Sequence, residues 1–370
     1  MPLGEMSGYL IGVTADRRAA EQIAMLERRG ATVLHGQAIR THPFAVDGPL
    51  ARALRTLATH PPEITVVSTG IGVRGIVEAA ECIGVAEALL DGLCKSYVYA
   101  RGPKAHGAAV TVGMPVHWST PSGVSGEILA ELDRTGGVQG RRVAVQLDGA
   151  ETQPLAEALA ARGAELVPIP VYRWSLPDDL TPALRLIHAI AEQRVDAVTF
   201  TARPQIECLC EIAETAGLLA DLRRGFASGV LATCVGPVCA KAALAAGFGD
   251  PVVPIRSRLG SMVAALARGL ACRSVSFRLG EEQVVLRGRM FEIGRVKVHL
   301  SDRERDLLSA LAQRPGAVLS KAELLVAAWP PRDRADEHAV EVAVARLRRR
   351  LGPSSHLLET VFRRGYRLAS

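Results

Sequence analysis

The residues most suited to chemistry are concentrated at the end of the chain. The last 25 residues contain seven arginines and a single acid, Glu359. Residues 281–370 have 17 Lys+Arg and 12 Asp+Glu, a balance of +5, whereas residues 1–280 have 27 and 26, a balance of +1. A basic segment attached to a neutral body is typical of a module that binds nucleic-acid phosphates. The seven arginines are Arg346, Arg348, Arg349, Arg350, Arg363, Arg364 and Arg367.

A second cationic group lies in ARGPKAHG, residues 100–107. Arg101, Lys104 and His106 share one predicted strand-to-helix turn, where they could hold a carboxylate or a phosphate. Solvated surface charges explain the same residues equally well. The glycine-rich STGIGVRG (68–75) has neither Walker nor GxGxxG spacing, and turn geometry alone is its simpler explanation.

The cysteine pattern indicates neither a disulfide framework nor a metal site. There is no CxxC pair and no clustered histidine, so we expect small buried thiols in a reducing compartment, with no bound metal. No signal-peptide pattern and no run of about 18 apolar residues is visible, which predicts a cytoplasmic protein without membrane contact. The cysteines are residues 82, 94, 208, 210, 234, 239 and 272.

Short apolar runs alternate with helical patterns through most of the chain. Examples are LIGVTA (10–15), ITVVSTG (64–70), AVTFTA (197–202) and LATCVGP (231–237). Continuous buried strands that alternate with helices predict an α/β fold with parallel sheets, and the number of units suggests two sheets. Ligands of such folds bind beyond the carboxyl ends of the strands.

The pattern of apolar residues changes in the last quarter of the chain. VVLRGRMFEIGRVKVHLS alternates as short antiparallel strands do. Ser301 with Glu304 predicts a capping box, and Ser320 begins another. A third helix is predicted from about His338 to Leu351, and LLETVFRRGYRL then predicts a hairpin with Gly365 in its turn region. Strands, three helices and a basic hairpin together indicate a winged helix.

The body resembles the uroporphyrinogen-III synthase (HemD) family. The resemblance covers about residues 8–270 and rests on RRVAVQLDG…LAEALAARGAELVPIPVYRW, DAVTFTARPQIECL and VGPVCAKAALAAGF. It implies two flavodoxin-like domains with a cleft between them: domain 1 at 8–37 and 173–270, domain 2 at 38–172. The family enzyme cyclises hydroxymethylbilane without a cofactor, so no cofactor is expected.

The resemblance also proposes cleft residues, although three family hydroxyls are missing. Alanines stand at 105 and 202, and Cys239 replaces a threonine. Because each lost donor costs about 10²–10³ in rate, the sequence argues against catalysis but not against binding of an acidic ligand. Tyr172 is the candidate catalytic residue, or else an amphipathic residue at the domain junction. The cleft candidates are Ser68, Thr69, Arg101, Lys104, His106, Tyr172, Thr201 and Cys239.

Beyond a linker at 271–282, residues 283–370 resemble the OmpR/PhoB-type winged helix. The resemblance implies a third helix in the DNA major groove, a wing in the minor groove, and a loop between helices two and three that contacts RNA polymerase. Ala343 and Phe362 stand where the family usually has histidine and arginine. The predicted DNA-binding residues are Arg346, Arg348, Arg349, Arg350, Thr360, Arg363, Arg364, Tyr366 and Arg367.

The combination resembles fused transcriptional regulators of actinobacteria. The first hypothesis is a DNA-binding regulator whose body senses a ligand or dimerises in place of a receiver domain. Because the family's product is the precursor of sirohaem, control of nitrogen (nitrate/nitrite) or sirohaem-linked metabolism would be coherent. The alternative is an active synthase with an appended DNA-binding domain; a third interpretation is a body that only dimerises. Expected partners are operator DNA, RNA polymerase, an acidic small molecule or tetrapyrrole, and a second copy of the chain.

Overall fold

The computed structural model describes residues 4–43, 48–147, 149, 154–279, 282–294, 296–329 and 335–369. One parallel sheet has the order β11 (Leu231–Cys234), β10 (Ala197–Phe200), β1 (Leu10–Val13) and β2 (Thr32–His35). Its helices are α1 (Ala19–Glu27), α8 (Thr181–Ala191), α9 (Arg203–Thr215), α10 (Leu219–Ala227), α11 (Pro237–Ala245) and α12 (Leu259–Ala271). Phe200, Phe226 and Phe248 pack together in its core, with the last two rings stacked 4.1 Å apart.

A second parallel sheet has the order β6 (Val116–Ser119), β5 (Tyr97–Ala100), β4 (Ile64–Val67), β7 (Arg142–Gln146) and β8 (Glu165–Ile169). Its helices are α2 (Pro49–Thr59), α3 (Gly70–Cys82), α4 (Ala86–Lys95), α5 (Pro103–Thr111), α6 (Ser125–Arg134) and α7 (Pro154–Ala161). β3 (Arg40–Pro43) and β9 (Tyr172–Ser175) pair antiparallel where the chain passes between the two sheets. The α/β prediction with parallel sheets is confirmed.

The C-terminal domain begins with an antiparallel sheet, β12 (Val275–Leu279), β13 (Glu282–Arg287), β14 (Met290–Ile293) and β15 (Val296–His299). The helices α13 (Asp302–Ala312), α14 (Lys321–Ala328) and α15 (Glu337–Leu351) follow, then a 3₁₀ helix (Gly352–Leu357) and the hairpin β16 (Leu358–Val361) and β17 (Gly365–Leu368). The winged-helix prediction is confirmed. The expected linker at 271–282 needs correction, because β12 lies within it and pairs with β13.

Local sequence signals account for the helices of this domain. Both capping boxes form: Ser301 and Ser320 each accept a hydrogen bond from the third backbone N–H of their helix. This arrangement satisfies amide groups that the first turn leaves without helical partners. α15 buries Val340, Val344, Leu347 and Leu351 along one face, as the spacing predicted.

The expectation that the cysteines are buried holds for only part of the set. Cys208, Cys234 and Cys239 are buried, whereas Cys82 and Cys272 are exposed. The two exposed thiols lie at the carboxyl end of α3 and just after α12, where the helices leave the core. Apolar neighbours in the sequence therefore did not guarantee burial at helix ends.

The body and the C-terminal domain are in direct contact along a seam. We define the seam as Gly8, Arg194, Gly288, Arg289 and Arg305. The backbone N–H of Arg289 donates to the Gly8 carbonyl at 2.7 Å, and its guanidinium donates to the Arg194 carbonyl at 2.6 Å. Arg305 donates to the carbonyl of Gln193 at 3.4 Å. A cavity of about 260 Å³ also lies along this contact, away from the predicted cleft.

Asp196 lies beside the seam and should make stability depend on pH. Its Oδ2 accepts from the Leu10 N–H at 2.7 Å. Burial raises the pKa of Asp196 above its usual value, and this effect outweighs the opposing effects of the Leu10 hydrogen bond and of Arg305 and Arg289. A raised folded-state pKa means that stability is greatest below the unfolded pKa and falls as pH rises through the folded pKa.

The Asp196→Asn variant should therefore be more stable than the wild type at pH 7. The amide removes the buried charge, while its oxygen still accepts from Leu10. We expect the melting temperature to rise by about 2 °C, corresponding to roughly 1 kcal/mol or less for a domain of this size. Thermal unfolding between pH 4 and pH 8 checks this result. The difference should shrink towards pH 4, and a constant difference would contradict the assignment.

Candidate functional site

The first candidate site is a cleft where the carboxyl ends of the two parallel sheets face each other. Lys104, in the first turn of α5, donates from Nζ to the Thr201 carbonyl after β10 at 3.4 Å. A methyl group added at Gly123 would lie 3.3 Å from Cγ2 of Val238 in α11. The two α/β units thus touch across the cleft, and its walls are strand-to-helix turns from both.

Ser68, Thr69 and Tyr172, three of the predicted cleft residues, lie together. Thr69 caps α3 by accepting from the Gly72 N–H at 3.2 Å. The Tyr172 hydroxyl donates to Oγ1 of Thr69, also at 3.2 Å. Ser68 is buried directly before this cap. The β9 strand therefore brings Tyr172 onto the hydroxyl turn that follows β4.

Two buried glutamines, which the sequence interpretation missed, organise these turns. Oε1 of Gln146 accepts from the N–H groups of Ser68 and Thr69 at 3.0 and 2.9 Å. In the other unit, Oε1 of Gln205 accepts from the Thr201 N–H at 2.7 Å, and its Nε2 donates to the Thr201 hydroxyl at 2.9 Å. The side-chain amides thus occupy backbone donors that could otherwise face a ligand. A glutamine at the end of one strand and another in the first turn of a helix leave no pattern that sequence spacing could reveal.

The cationic end of the cleft is partly desolvated. The whole Lys104 residue is exposed, but its ammonium is crowded by protein atoms, and this desolvation is the main cause that lowers the pKa of Lys104. The pKa of Cys239 is raised, first by hydrogen bonding with Cys234 and then by burial. Cys239 is therefore a protonated and buried thiol at neutral pH, and Lys104 is a cation that an anionic ligand would stabilise.

The other two predicted cations are placed differently. Arg101 is half-buried and approaches Oγ of Ser125 at 3.5 Å. His106 is exposed on α5. The turn therefore presents Lys104 to the opposite unit, whereas Nη1 of Arg101 lies beside Ser125 of its own unit. Among the described residues, no group of three or more His, Cys, Asp and Glu side chains is arranged to hold a metal ion.

The second candidate site is the surface formed by α15 and the hairpin. Arg346 and Arg349 on α15, and Arg363 and Arg364 at the hairpin tip, are exposed. The side chains of Arg346, Arg349 and Arg364 form no hydrogen bond or ion pair with another described residue. These side chains are available to phosphate groups.

The remaining predicted contacts are engaged within the domain. Arg348 donates to the Leu358 carbonyl at 2.6 Å and to the Thr360 hydroxyl at 2.8 Å, and lies over the Tyr366 ring. Arg350 forms an ion pair with the buried Glu304 at 3.0 Å. Arg367 pairs with Glu359 at 2.6 Å, and Tyr366 is only 6% exposed. Arg348 and Thr360 therefore join the hairpin to α15, and the contacts of all five residues with DNA stay predictions.

The loop predicted to contact RNA polymerase falls at residues 330–334, which lie outside the described residues. None of the helices in the described ranges has both the length and the apolar character that crossing a membrane requires.

Comparison with known proteins decides the family. A family model described as uroporphyrinogen-III synthase HemD matches residues 20–264. The chain belongs to the uroporphyrinogen-III synthase HemD family. A crystal structure of mutant uroporphyrinogen III synthase from the extremely thermophilic bacterium Thermus thermophilus is 32% identical, with a TM-score of 0.59, over 71% of this chain and 99% of that one. YjjA of Bacillus subtilis (strain 168), described as uncharacterized, is 26% identical over 70% of this chain and 96% of its own length.

The C-terminal domain has relatives of its own beyond the HemD body. A model described as transcriptional regulatory protein, C terminal, matches residues 294–368. The transcriptional regulatory protein PrrA of Mycobacterium tuberculosis is 37% identical over 128 residues, which cover 32% of this chain and 55% of PrrA. The chain thus spans about half the length of PrrA. The HemD body is joined to an OmpR/PhoB-type DNA-binding domain, which supports binding to double-stranded DNA and a role in transcription regulation.

Proposed function

We propose that the HemD body is the input module of this regulator and replaces a receiver domain. The seam carries this proposal, because backbone and guanidinium hydrogen bonds join the body directly to the DNA-binding domain. A conformational change in the body can then shift the position of the DNA-binding domain, which we call the reader. Coupling of two sites through a packed interface requires such a link. The division that we propose is domain 1 at 8–37 and 173–270 and domain 2 at 38–172. The DNA-binding domain begins at β12.

The ligand that we propose for the cleft is an acidic small molecule, with a tetrapyrrole as the first candidate. Lys104 supports this choice because its desolvated ammonium would gain from a carboxylate partner. Titration of the full chain with uroporphyrin III tests it by fluorescence quenching. We expect Lys104→Ala and Arg101→Ala to weaken binding, while Lys95→Ala, an exposed lysine paired with Asp91, leaves binding unchanged. If the wild type does not bind uroporphyrin III, the proposed sensing role is refuted. Dimerisation is then the remaining role for the body.

The DNA-contacting role of α15 has its own test. The double variant Arg346→Ala, Arg349→Ala should bind duplex DNA about 10–100-fold more weakly at 0.1 M salt, and the slope of log affinity against log salt should fall by about two. Fluorescence anisotropy at several salt concentrations measures both quantities. Arg134→Ala with Arg162→Ala removes two body arginines, the first exposed and the second half-buried, and should change neither quantity. An unchanged slope in the α15 variant would show that these arginines do not contact phosphates.

A second candidate function is uroporphyrinogen-III synthesis. The Tyr172–Thr69 hydrogen bond favours it, because the retained hydroxyls are assembled on one turn. The missing hydroxyls at 105, 202 and 239 favour the regulator. Incubation of the full chain with hydroxymethylbilane and separation of the isomers distinguishes the two functions. Formation of the type III isomer well above the spontaneous background would establish the enzyme.

Three further parts of the proposal concern partners and targets: a homodimer on paired half-sites, contact with RNA polymerase, and control of nitrogen (nitrate/nitrite) or sirohaem-linked genes. Symmetric half-sites are the usual arrangement for dimeric regulators. Genome-wide mapping of bound DNA tests half-site spacing and target genes together. Random spacing of half-sites would contradict the homodimer on paired half-sites. Targets unrelated to these pathways would contradict the proposed control of nitrogen or sirohaem-linked genes.

A further inference from the structure

The hairpin tip, residues 362–364, has a composition that the fold of the domain does not explain. Phe362 is 80% exposed, although a phenylalanine normally contributes to stability by burial. Arg363 has a φ of +58°, in the left-handed region that favours glycine. Its Cζ lies 5.2 Å from the centroid of the Phe362 ring. The tip thus combines an exposed ring with a cation held in a strained backbone.

Neither feature helps the domain to fold. Val361 pairs with Gly365 in the hairpin, so residues 362–364 stand outside the strand ladder. The buried core of the domain includes Leu358, Tyr366 and Leu368 from the hairpin, but not Phe362. A left-handed arginine costs about 1 kcal/mol or more relative to glycine. Strain of this kind is expected at positions where the side chain serves a function.

We propose that Phe362 is an apolar wedge that enters the DNA minor groove, with Arg363 and Arg364 binding the phosphates beside it. Apolar side chains in the minor groove partly unstack a base step and bend the duplex. This inference rests on the proposed DNA-binding role of the reader.

Two observations favour DNA as the partner of the hairpin tip: its positive charge and its attachment to α15. The charged residues of the tip are both arginines, and Arg349 is exposed on the neighbouring helix. The side chain of Arg348 binds both the Leu358 carbonyl and the Thr360 hydroxyl, so the position of the hairpin is fixed relative to α15. When α15 lies on DNA, the tip is therefore held against the flanking groove, and a protein partner of opposite charge is not needed to explain the ring.

The salt dependence of binding distinguishes an apolar wedge from a phosphate contact. An apolar contact releases no counterions, so its removal lowers affinity without changing the salt slope, whereas loss of a phosphate contact lowers the slope by about one. Phe362→Ala should raise Kd about tenfold and reduce the DNA bend at an unchanged slope. Arg364→Ala should reduce the slope by about one. Arg363→Gly should raise the melting temperature, since strain is relieved, and still weaken DNA binding.

The experiment uses the full chain and a 40-bp duplex carrying the sequence that this chain enriches from random DNA. Anisotropy at several salt concentrations gives Kd and slope, and the gel mobility of longer duplexes that carry the site at different positions gives the bend. Val326→Ala is the matched control, since Val326 is 82% exposed on α14 and should leave both quantities unchanged. If the wild type and Phe362→Ala bind and bend DNA equally, the proposal that Phe362 is a wedge is refuted, while the proposed function stands. If the wild type enriches and binds no DNA, the proposed function fails and the wedge with it.

Discussion

Replacing Gly365 with alanine is expected to detach the wing and to lower DNA affinity by about 100-fold or more. Gly365 has a φ of +132°, and a Cβ there would overlap the carbonyl oxygen of Leu319. The backbone cannot move away without breaking the two 2.9 Å hydrogen bonds between Leu319 and Tyr366. Steric overlap with backbone in a strained conformation typically costs several kcal/mol. The loss of the wing removes its arginines from the DNA surface.

Hydrogen exchange in the hairpin and anisotropy with DNA together check this prediction. Amides of residues 357–369 should exchange much faster in Gly365→Ala, while those of the body keep their protection. Gly352→Ala is the control, because Gly352 also has positive φ but has open space where the methyl would stand. With φ of 54° and ψ of −121°, the control carries backbone strain of about 1–3 kcal/mol but no steric overlap, so its wing should stay attached. Equal behaviour of the two variants would show that the contact with Leu319 is not essential.

Replacing Gly8 with alanine is expected to separate the reader from the body. Gly8 has a φ of +91°, and a Cβ would lie 2.5 Å from the carbonyl oxygen of Arg287 and from Cβ of Met290. The Gly8 carbonyl also accepts from the Arg289 N–H, so displacement of this turn removes the central hydrogen bond of the seam. Each domain keeps its own core, and the unfolding of either is not expected.

Small-angle scattering and a ligand titration measure the consequence. The radius of gyration should rise above the roughly 21 Å expected for a compact chain of 370 residues. DNA affinity should persist, while any effect of a body ligand on that affinity disappears. Gly84→Ala, at a positive φ with nothing within 4 Å, should leave the radius unchanged. A compact Gly8→Ala variant that still responds to ligand would refute the seam as the route of coupling.

The sequence predicted most reliably where structure is determined by near neighbours. The capping boxes at Ser301 and Ser320 and the apolar face of α15 depend on residues within a few positions of one another, and all are found. The boundary at β12 was missed because a strand is identified by its partner, and the partner β13 lies beyond a turn. Gln146 and Gln205 were missed for the same reason, since each acts on a turn that tertiary packing brings to it.

By itself, the sequence determined the α/β body, the winged helix, the family resemblances and the position of the excess charge, because periodicity, capping and composition are local properties. Only the tertiary structure decided how the arginines divide. Arg348 joins the hairpin to α15 and Arg350 pairs with Glu304, whereas Arg346, Arg349 and Arg364 are left at the surface. Only the fold placed the desolvated ammonium of Lys104 against the opposite unit and Gly8 against the reader. Such contacts join residues far apart in the chain, and their strength depends on burial and distance, which a linear pattern does not record.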